Sequence, residues 1–413
     1  MTRPRIEVAD VIRDHGDAFL QEYGEALSPE QRRALIDLAR CRTAALGGHV
    51  EECDRCGHRQ IAYNSCRDRH CPKCQATEAA RWVQDRAAEL LPVAYFHVAF
   101  TLPATLGPIA LQNPRVVDGL LFRAAAETLL QIAADPEHRG AGIGFLAVLH
   151  TWGQALQHHP HLHCVVPGGG LSPDGSRWVS CPDGFFLPVK VLSPVFRGKF
   201  LAGLGAAFDR GKLAFHGKLA ALADPCEFQR RLSASALSDW VVYAKPPFGG
   251  PEQVLKYLAR YTHRVAISNR RLLDLKDGRV TFEYKDYARG GRRRTMELTA
   301  AEFLRRFLQH VLPGGFVRIR SYGFLANRGR REKLAICREL LEAAAAPAAL
   351  PPGAPSPAAP LAPVSGVTEA RCTPLCPVCG VGRMVVIEEL AAEFPWAGGP
   401  GRGPVASPAF DTS

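Results

Sequence analysis

A chain of 413 residues with 47% hydrophobic side chains is long enough for two or three domains with a sizeable core, and it should fold. The formal net charge of +11 points toward a polyanionic partner, with arginines clustered at Arg289/Arg292/Arg293/Arg294, Arg318/Arg320 and Arg328/Arg330/Arg331. The charged start Met1-Thr2-Arg3-Pro4-Arg5 is no secretory leader and no apolar run reaches the roughly 18 residues of a membrane span, so a cytoplasmic protein without a membrane partner is expected, and its thirteen cysteines read as metal ligands and buried thiols rather than disulfides.

Residues 1–45 read as a helical segment. Pro29 to Arg40 repeats apolar side chains at helical spacing, and Ser28 is placed to cap it. Residues 46–92 read as a zinc-binding module, because Cys53-Asp54-Arg55-Cys56 and Cys71-Pro72-Lys73-Cys74 are two knuckles of the kind that closes a tetrahedral four-thiolate site. Cys66 and His70 lie between the knuckles and can replace a ligand. The module would present Arg55, Arg59, Arg67, Arg69 and Lys73 to DNA phosphates. Residues 93–342 mix strands with helices. Strands are expected at Tyr95 to Pro103, Gly144 to Leu156 and His161 to Val166, and a helix at Leu120 to Ala134. The turn Ser172-Pro173-Asp174-Gly175 would return the histidine strand through Trp178-Val179-Ser180 as a hairpin.

Residues 190–245 read as a helical insertion, with Phe200, Leu201, Leu204 and Phe208 at helical spacing. A helix opened by Gly249-Gly250-Pro251 follows, then a hairpin of Leu272 to Leu275 and Arg279 to Tyr284 that would extend the sheet. The Ala/Pro-rich stretch 343–370 is expected to be a disordered linker, and 371–413 a cysteine-containing tail whose Cys372, Cys376 and Cys379 resemble half a zinc ribbon without an evident fourth ligand. The fold class is α+β: a small helical and zinc-binding module, then a central antiparallel-sheet domain with flanking helices.

The chemistry concentrates in two motifs. In His161-Leu162-His163 the period of a strand puts both imidazoles on one face, where they can grip one metal ion. Gln154 can add an oxygen as third ligand, a set that suits Mg²⁺ or Mn²⁺ acting on a phosphodiester, while His97, His159 and His263 are rival third ligands. Tyr257 and Tyr261 lie four apart on one helix face among Lys256, Arg260, Arg264, Arg270 and Arg271. A phenol with a pKa near 10 needs such cations and a metal to become a nucleophile. Arg292, Arg293 and Arg294 extend the DNA-binding surface.

The order Cys53/Cys56/Cys71/Cys74, His161-Leu162-His163, then Tyr257/Tyr261 resembles the two-tyrosine rolling-circle transposases of the insertion sequence ninety-one family, in the His-hydrophobic-His (HUH) endonuclease superfamily. The phrases Asn64 to Gln75, Tyr257 to Arg264 and Arg318 to Gly323 look like that family too, and the likeness runs from about residue 10 to 340. It implies a sheet-centred nuclease domain, Tyr257 and Tyr261 as nucleophiles that form 5′-phosphotyrosine links, His161 and His163 as metal ligands, and no need for ATP. Its expected partner is DNA, especially single-stranded transposon ends and target, in a bacterial, nucleoid-associated setting. The competing readings are a plasmid replication initiator or relaxase of the same superfamily, a non-catalytic zinc-dependent DNA-binding protein, and a metal-dependent hydrolase of small phosphates.

Overall fold

The structure, a computed structural model, describes residues 6–182, 184–238, 240–248, 253–254, 265–345 and 374–393. They form two compact units: Met1–Ala39 with Arg67–Ala344, and Arg40–Cys66 with Ala345–Ser413.

In the larger unit, α1 (Val8–Tyr23) and α2 (Pro29–Arg40) take up the expected N-terminal helices. Ser28 caps α2 as foreseen. Its hydroxyl accepts from the Gln31 amide at 3.2 Å, and the Gln31 side chain accepts from the Ser28 amide at 2.9 Å. With β1 (Gly48–Cys53) and β2 (Arg59–Tyr63) in the smaller unit, the next elements are α3 (Pro72–Ala87), β3 (Tyr95–Thr101), α4 (Gly107–Gln112), α5 (Pro114–Ala134), β4 (Gly144–Trp152), β5 (His158–Pro167), β6 (Gly169–Leu171) and β7 (Trp178–Ser180). They are followed by α6 (Val189–Asp209), α7 (Pro225–Leu237), β8 (Val242–Phe248), β9 (Leu272–Lys276), β10 (Arg279–Asp286), β11 (Arg292–Thr299), α8 (Ala300–Leu308), β12 (Ile319–Gly323) and α9 (Arg330–Ala345).

One antiparallel sheet organises the unit, in the order β12-β4-β5-β3-β8. Its two faces differ in chemistry. Phe96, Val98 and Phe100 of β3, Phe145, Ala147 and Leu149 of β4, and Leu162, Cys164 and Val166 of β5 join one core cluster with α5 and α6. The alternate residues, His97 of β3, His150 of β4 and His161 and His163 of β5, therefore point to the opposite face.

Three expectations are corrected here. The histidine strand is not half of a hairpin with Trp178–Ser180, which pairs with Gly169–Leu171 as a separate two-stranded ribbon. β5 is instead the middle strand of the sheet. Residues 190–245 are not an insertion: Phe196, Phe200 and Leu204 of α6 belong to the central core, and Val242–Phe248 is the sheet's edge strand on β3. By length and composition α6 could cross a membrane, but these core contacts give its apolar face another partner. Finally, the Leu272/Arg279 hairpin forms with its Asp277-Gly278 turn at positive φ (51° and 69°), yet it builds a second sheet, β11-β10-β9, rather than extending the first. Gly249-Gly250-Pro251 and the core of the Ala/Pro stretch lie outside the described residues; α9 itself continues through Ala345.

Two residues expected to meet DNA are consumed inside this unit. Arg69 donates to the carbonyls of Phe316, Leu312 and Pro313 at 2.6, 2.9 and 2.8 Å, and Lys73 forms a buried ion pair with Glu7 at 2.6 Å. Beside Arg69, His70 accepts from the Leu312 amide at 3.2 Å and is held by Asp68, so it is committed to the loop after α8. Arg69→Ala strands three carbonyls at once. By the usual worth of charged hydrogen bonds it should cost about 2–3 kcal/mol, read as a lower denaturant midpoint with an unchanged slope; Arg59→Ala, on an exposed strand position, should leave the midpoint almost unmoved.

The smaller unit holds a three-stranded antiparallel sheet, β13-β1-β2, from β1 (Gly48–Cys53), β2 (Arg59–Tyr63) and β13 (Met384–Leu390). The C-terminal segment thus adds a strand beside β1, where it was expected to be a separate tail. Residues 46–92 do not form one module, since α3 belongs to the larger unit.

Candidate functional site

His150, His161 and His163 each bring one ring nitrogen within 4.8 Å of the others. The sheet explains the grouping: His150 pairs with His161 across β4 and β5, and His163 follows His161 by one strand period. Two of the rings are oriented by their remote nitrogens. His161 donates Nδ1–H to the carbonyl of His159 at 2.7 Å, and His163 Nδ1 meets His97 Nε2 at 2.8 Å. With Nδ1 so held, Nε2 is the nitrogen by which each ring would ligate a metal, the arrangement by which outer hydrogen bonds fix a ligating imidazole. Burial, with Lys245 and His161 nearby, pushes His97 down to about 4, so it stays neutral and can accept from His163.

The cleft in front of the three rings has a volume of about 470 Å³ and is also lined by Gln154, His159, Tyr284, Lys285 and Tyr287. The β4–β5 loop on its wall is pinned through three successive carbonyls. Gln154 accepts from Arg271, Ala155 from Arg306 at 3.2 Å, and Leu156, at a positive φ of 61°, from His310 at 3.1 Å. His310 Nδ1 faces the Thr151 hydroxyl at 3.2 Å, and burial favours the neutral ring.

The expected site residues fall as follows. His161 and His163 come together. Gln154 lines the same cleft, but the third imidazole is His150, which the sequence reading had not considered; His97 stands behind His163 and His159 supplies a carbonyl to His161. Tyr257, Tyr261, Lys256, Arg260, Arg264 and the rival ligand His263 lie outside the described residues. Arg270 is exposed on the short turn before β9. Arg292, Arg293 and Arg294 line the exposed strand β11, where Arg293 and Arg294 reach Glu283 and Asp286 of β10 at 3.4 and 3.3 Å. Sequence reasoning also missed Tyr284 and Tyr287, the latter 70% exposed at the cleft.

In the smaller unit Cys53, Cys56, Cys376 and Cys379 place their sulfurs within 4.8 Å of one another. The two knuckles are alike. Each ends in a glycine at positive φ, Gly57 (67°) and Gly380 (69°), whose amide donates to the carbonyl of the first cysteine, at 3.1 and 2.9 Å. Backbone amides also approach Cys53, Cys376 and Cys379 sulfurs at 3.3–3.4 Å, and the amides of Gly382 and Val381 draw the Cys379 thiol down to about 6. Gly382 leaves the space that the Cys53 sulfur fills. This donor set fits a closed four-thiolate zinc site. It also revises the expected quartet: Cys53 and Cys56 are completed by Cys376 and Cys379, not by Cys71 and Cys74, which open α3 of the larger unit. Identical Cys-x-x-Cys spacing in three places left the pairing open in the sequence.

The nitrogen-lined cleft and the tetrathiolate cluster are two candidate metal-binding sites, and family comparison gives the class of protein that carries them: a transposase. Residues 144–333, from the first residue of β4 onward, match the family described as "Putative transposase", and residues 11–102 match the "Transposase zinc-binding domain". The chain is 57% identical over 393 residues to "Putative transposase y4qJ" of Sinorhizobium fredii (strain NBRC 101917 / NGR234), covering 94% of this chain and 96% of that protein. It is 28% identical over 327 residues to "Transposase for insertion sequence element IS801" of Pseudomonas savastanoi pv. phaseolicola, covering 75% and 74%. The chain belongs to the IS91 family of transposases. No solved structure matches it.

Two outcomes follow from this geometry. Cys376→Ser with Cys379→Ser should lower bound zinc by about one equivalent per chain in elemental analysis, and unchanged zinc would remove the quartet assignment. Stability should also fall on acidification. Burial holds His310 and His158 down to about 3 and 4 in the folded chain, against about 6.5 unfolded, so between these values the unfolded state binds more protons. The contribution is fully present above about pH 6.5 and is lost as pH falls toward 4, which urea midpoints measured from pH 7.5 to 5 would register.

Proposed function

We propose that this transposase cuts and joins single DNA strands by tyrosine attack beside a divalent ion held by His150, His161 and His163, in rolling-circle-like transposition. The observation that carries the reading is the triad itself: three imidazoles on one sheet face, two of them with their outer nitrogens already engaged. Bound there, the ion would polarise a phosphate oxygen of the scissile bond. Three neutral nitrogens favour Mn²⁺ over Mg²⁺, which prefers an all-oxygen shell.

The phenols enter from sequence and from one anchor. Val254, three residues before Tyr257, is fully buried against Tyr95 and Val165, which share the sheet face of the histidines. An anchor three residues before Tyr257 in the chain, on the histidine side of the sheet, supports the reading that the phenols serve that site. Oη of a tyrosine would attack phosphorus, breaking the bond to the 3′ oxygen and leaving a 3′-hydroxyl and a 5′-phosphotyrosine. A 3′-hydroxyl would later attack the phosphotyrosine phosphorus, re-forming the phosphodiester and releasing the phenol with no outside energy source, while the second phenol permits a second cut. Tyr284 and Tyr287 offer rings on which bases can stack, and the β11 arginines offer charge to the backbone leading to the cleft.

The experiment is incubation with labelled single-stranded DNA and Mn²⁺, followed by denaturing separation. A covalent adduct is expected for the wild type and for Tyr243→Phe, Tyr284→Phe and Tyr287→Phe, and none for Tyr257→Phe with Tyr261→Phe. An undiminished adduct in that double variant overturns the nucleophile assignment. His150→Ala should abolish the adduct while DNA binding persists. His97→Ala should raise the Mn²⁺ concentration for half-maximal reaction about 10–100-fold, as loss of an outer-shell partner does.

A further inference from the structure

On the other face of the central sheet, a cleft of about 560 Å³ runs between α5, α6 and the edge strand β12. Five cations line it: Arg115, Arg123, Arg210, Lys212 and Arg320. The cleft's one acid, Glu127, faces Lys199 at 3.6 Å and is offset by it. Asp118, buried beside Arg320, is pushed up to about 8 by burial, which favours its neutral form.

The arginines are fixed by carbonyls and rings, with Glu30 near enough to Arg115 to interact with its charge. Arg115 donates to the carbonyl of Gly314 at 2.7 Å and Arg210 to that of Ala206 at 2.8 Å. Arg320 donates to Val317 at 3.1 Å and lies over the Phe122 and Phe316 rings, 4.1 and 5.1 Å from their centroids. Among the described residues, Arg123 and Lys212 have no acidic partner. Five like charges held in one groove repel each other, and a polyanion laid along it relieves that repulsion.

We infer that this cleft binds the phosphodiester backbone of a second DNA segment while the histidine cleft on the opposite sheet face holds the strand being cut. The inference rests on the proposed strand-transfer function, in which two DNA segments must be held together, but its test needs no chemistry. Arg123→Glu with Lys212→Glu removes the two cations that bear no structural bond. Binding of labelled DNA is measured by anisotropy in EDTA across a salt series. The slope of log affinity against log salt should become shallower by about 1.4–1.8, as each of the two lost phosphate contacts removes about 0.7–0.9. A charge-matched control, Lys190→Glu with Lys218→Glu, should keep the wild-type slope.

Saturation with short oligonucleotides should give two equivalents per wild-type chain and one for the cleft variant, which should still form the covalent adduct on a short strand. A slope change no larger than the control's, or one equivalent on the wild type, overturns the inference. If instead the slope shifts as expected while the wild type forms no adduct, the cleft stands and the tyrosine chemistry falls.

Discussion

The larger unit depends on the alternation of a single strand. β5 is hydrogen-bonded on both sides, and its Leu162, Cys164 and Val166 are all at or near zero exposure in the core under α5 and α6. A slip of one residue would drive His161 and His163 into that core and expose three apolar side chains. Buried apolar area therefore fixes the direction of the imidazoles as well as the fold. The sheet separates a dry face from a functional one without needing any loop to do so, and rigid strands hold ligating groups more closely than loops do.

The pair on β5 was legible because its period is local: two histidines around one leucine state their common face in three residues. His150 was not legible, because its place beside His161 is set by the β4–β5 register, which depends on a loop whose Leu156 adopts a positive φ and whose carbonyls are held by Arg271, Arg306 and His310 from far along the chain. The same contrast explains Gln154. Counting along the sequence brings it near His161, and it does reach the cleft wall, yet a partner across a ladder lies closer than one reached around a turn.

The cysteines show a different limit. A Cys-x-x-Cys-Gly knuckle announces that two sulfurs will face one metal, and both halves of the quartet carry that spacing. Nothing in the spacing says which halves meet. Cys53 and Cys376 are more than three hundred positions apart, and Cys376 and Cys379 fall outside both family-matched ranges. The strand β13 decides the matter, since its pairing of Met384 with Cys53 carries the C-terminal knuckle to the N-terminal one. The hairpin at Asp277-Gly278 behaves likewise: its turn chemistry was readable, while the sheet it would join was not.

Charge is the least legible property, because sequence counts cations without saying which are already spent. Arg69, Lys73 and Arg318 looked like phosphate ligands, but Arg69 ties down a loop, Lys73 is paired with Glu7, and Arg318, whose pKa burial lowers to about 10, donates to Gln75. Arg115, Arg123, Arg210, Lys212 and Arg320 come from segments as much as two hundred residues apart, and of them Arg320 alone belongs to an arginine cluster noted in the sequence. A buried arginine that satisfies carbonyls stabilises the fold and offers little to DNA. An arginine propped on a carbonyl or a ring at the rim keeps its charge for a ligand, with less side-chain entropy left to lose on binding. The net charge of +11 therefore says that a polyanion is favoured, and only the hydrogen bonds say where it can be held.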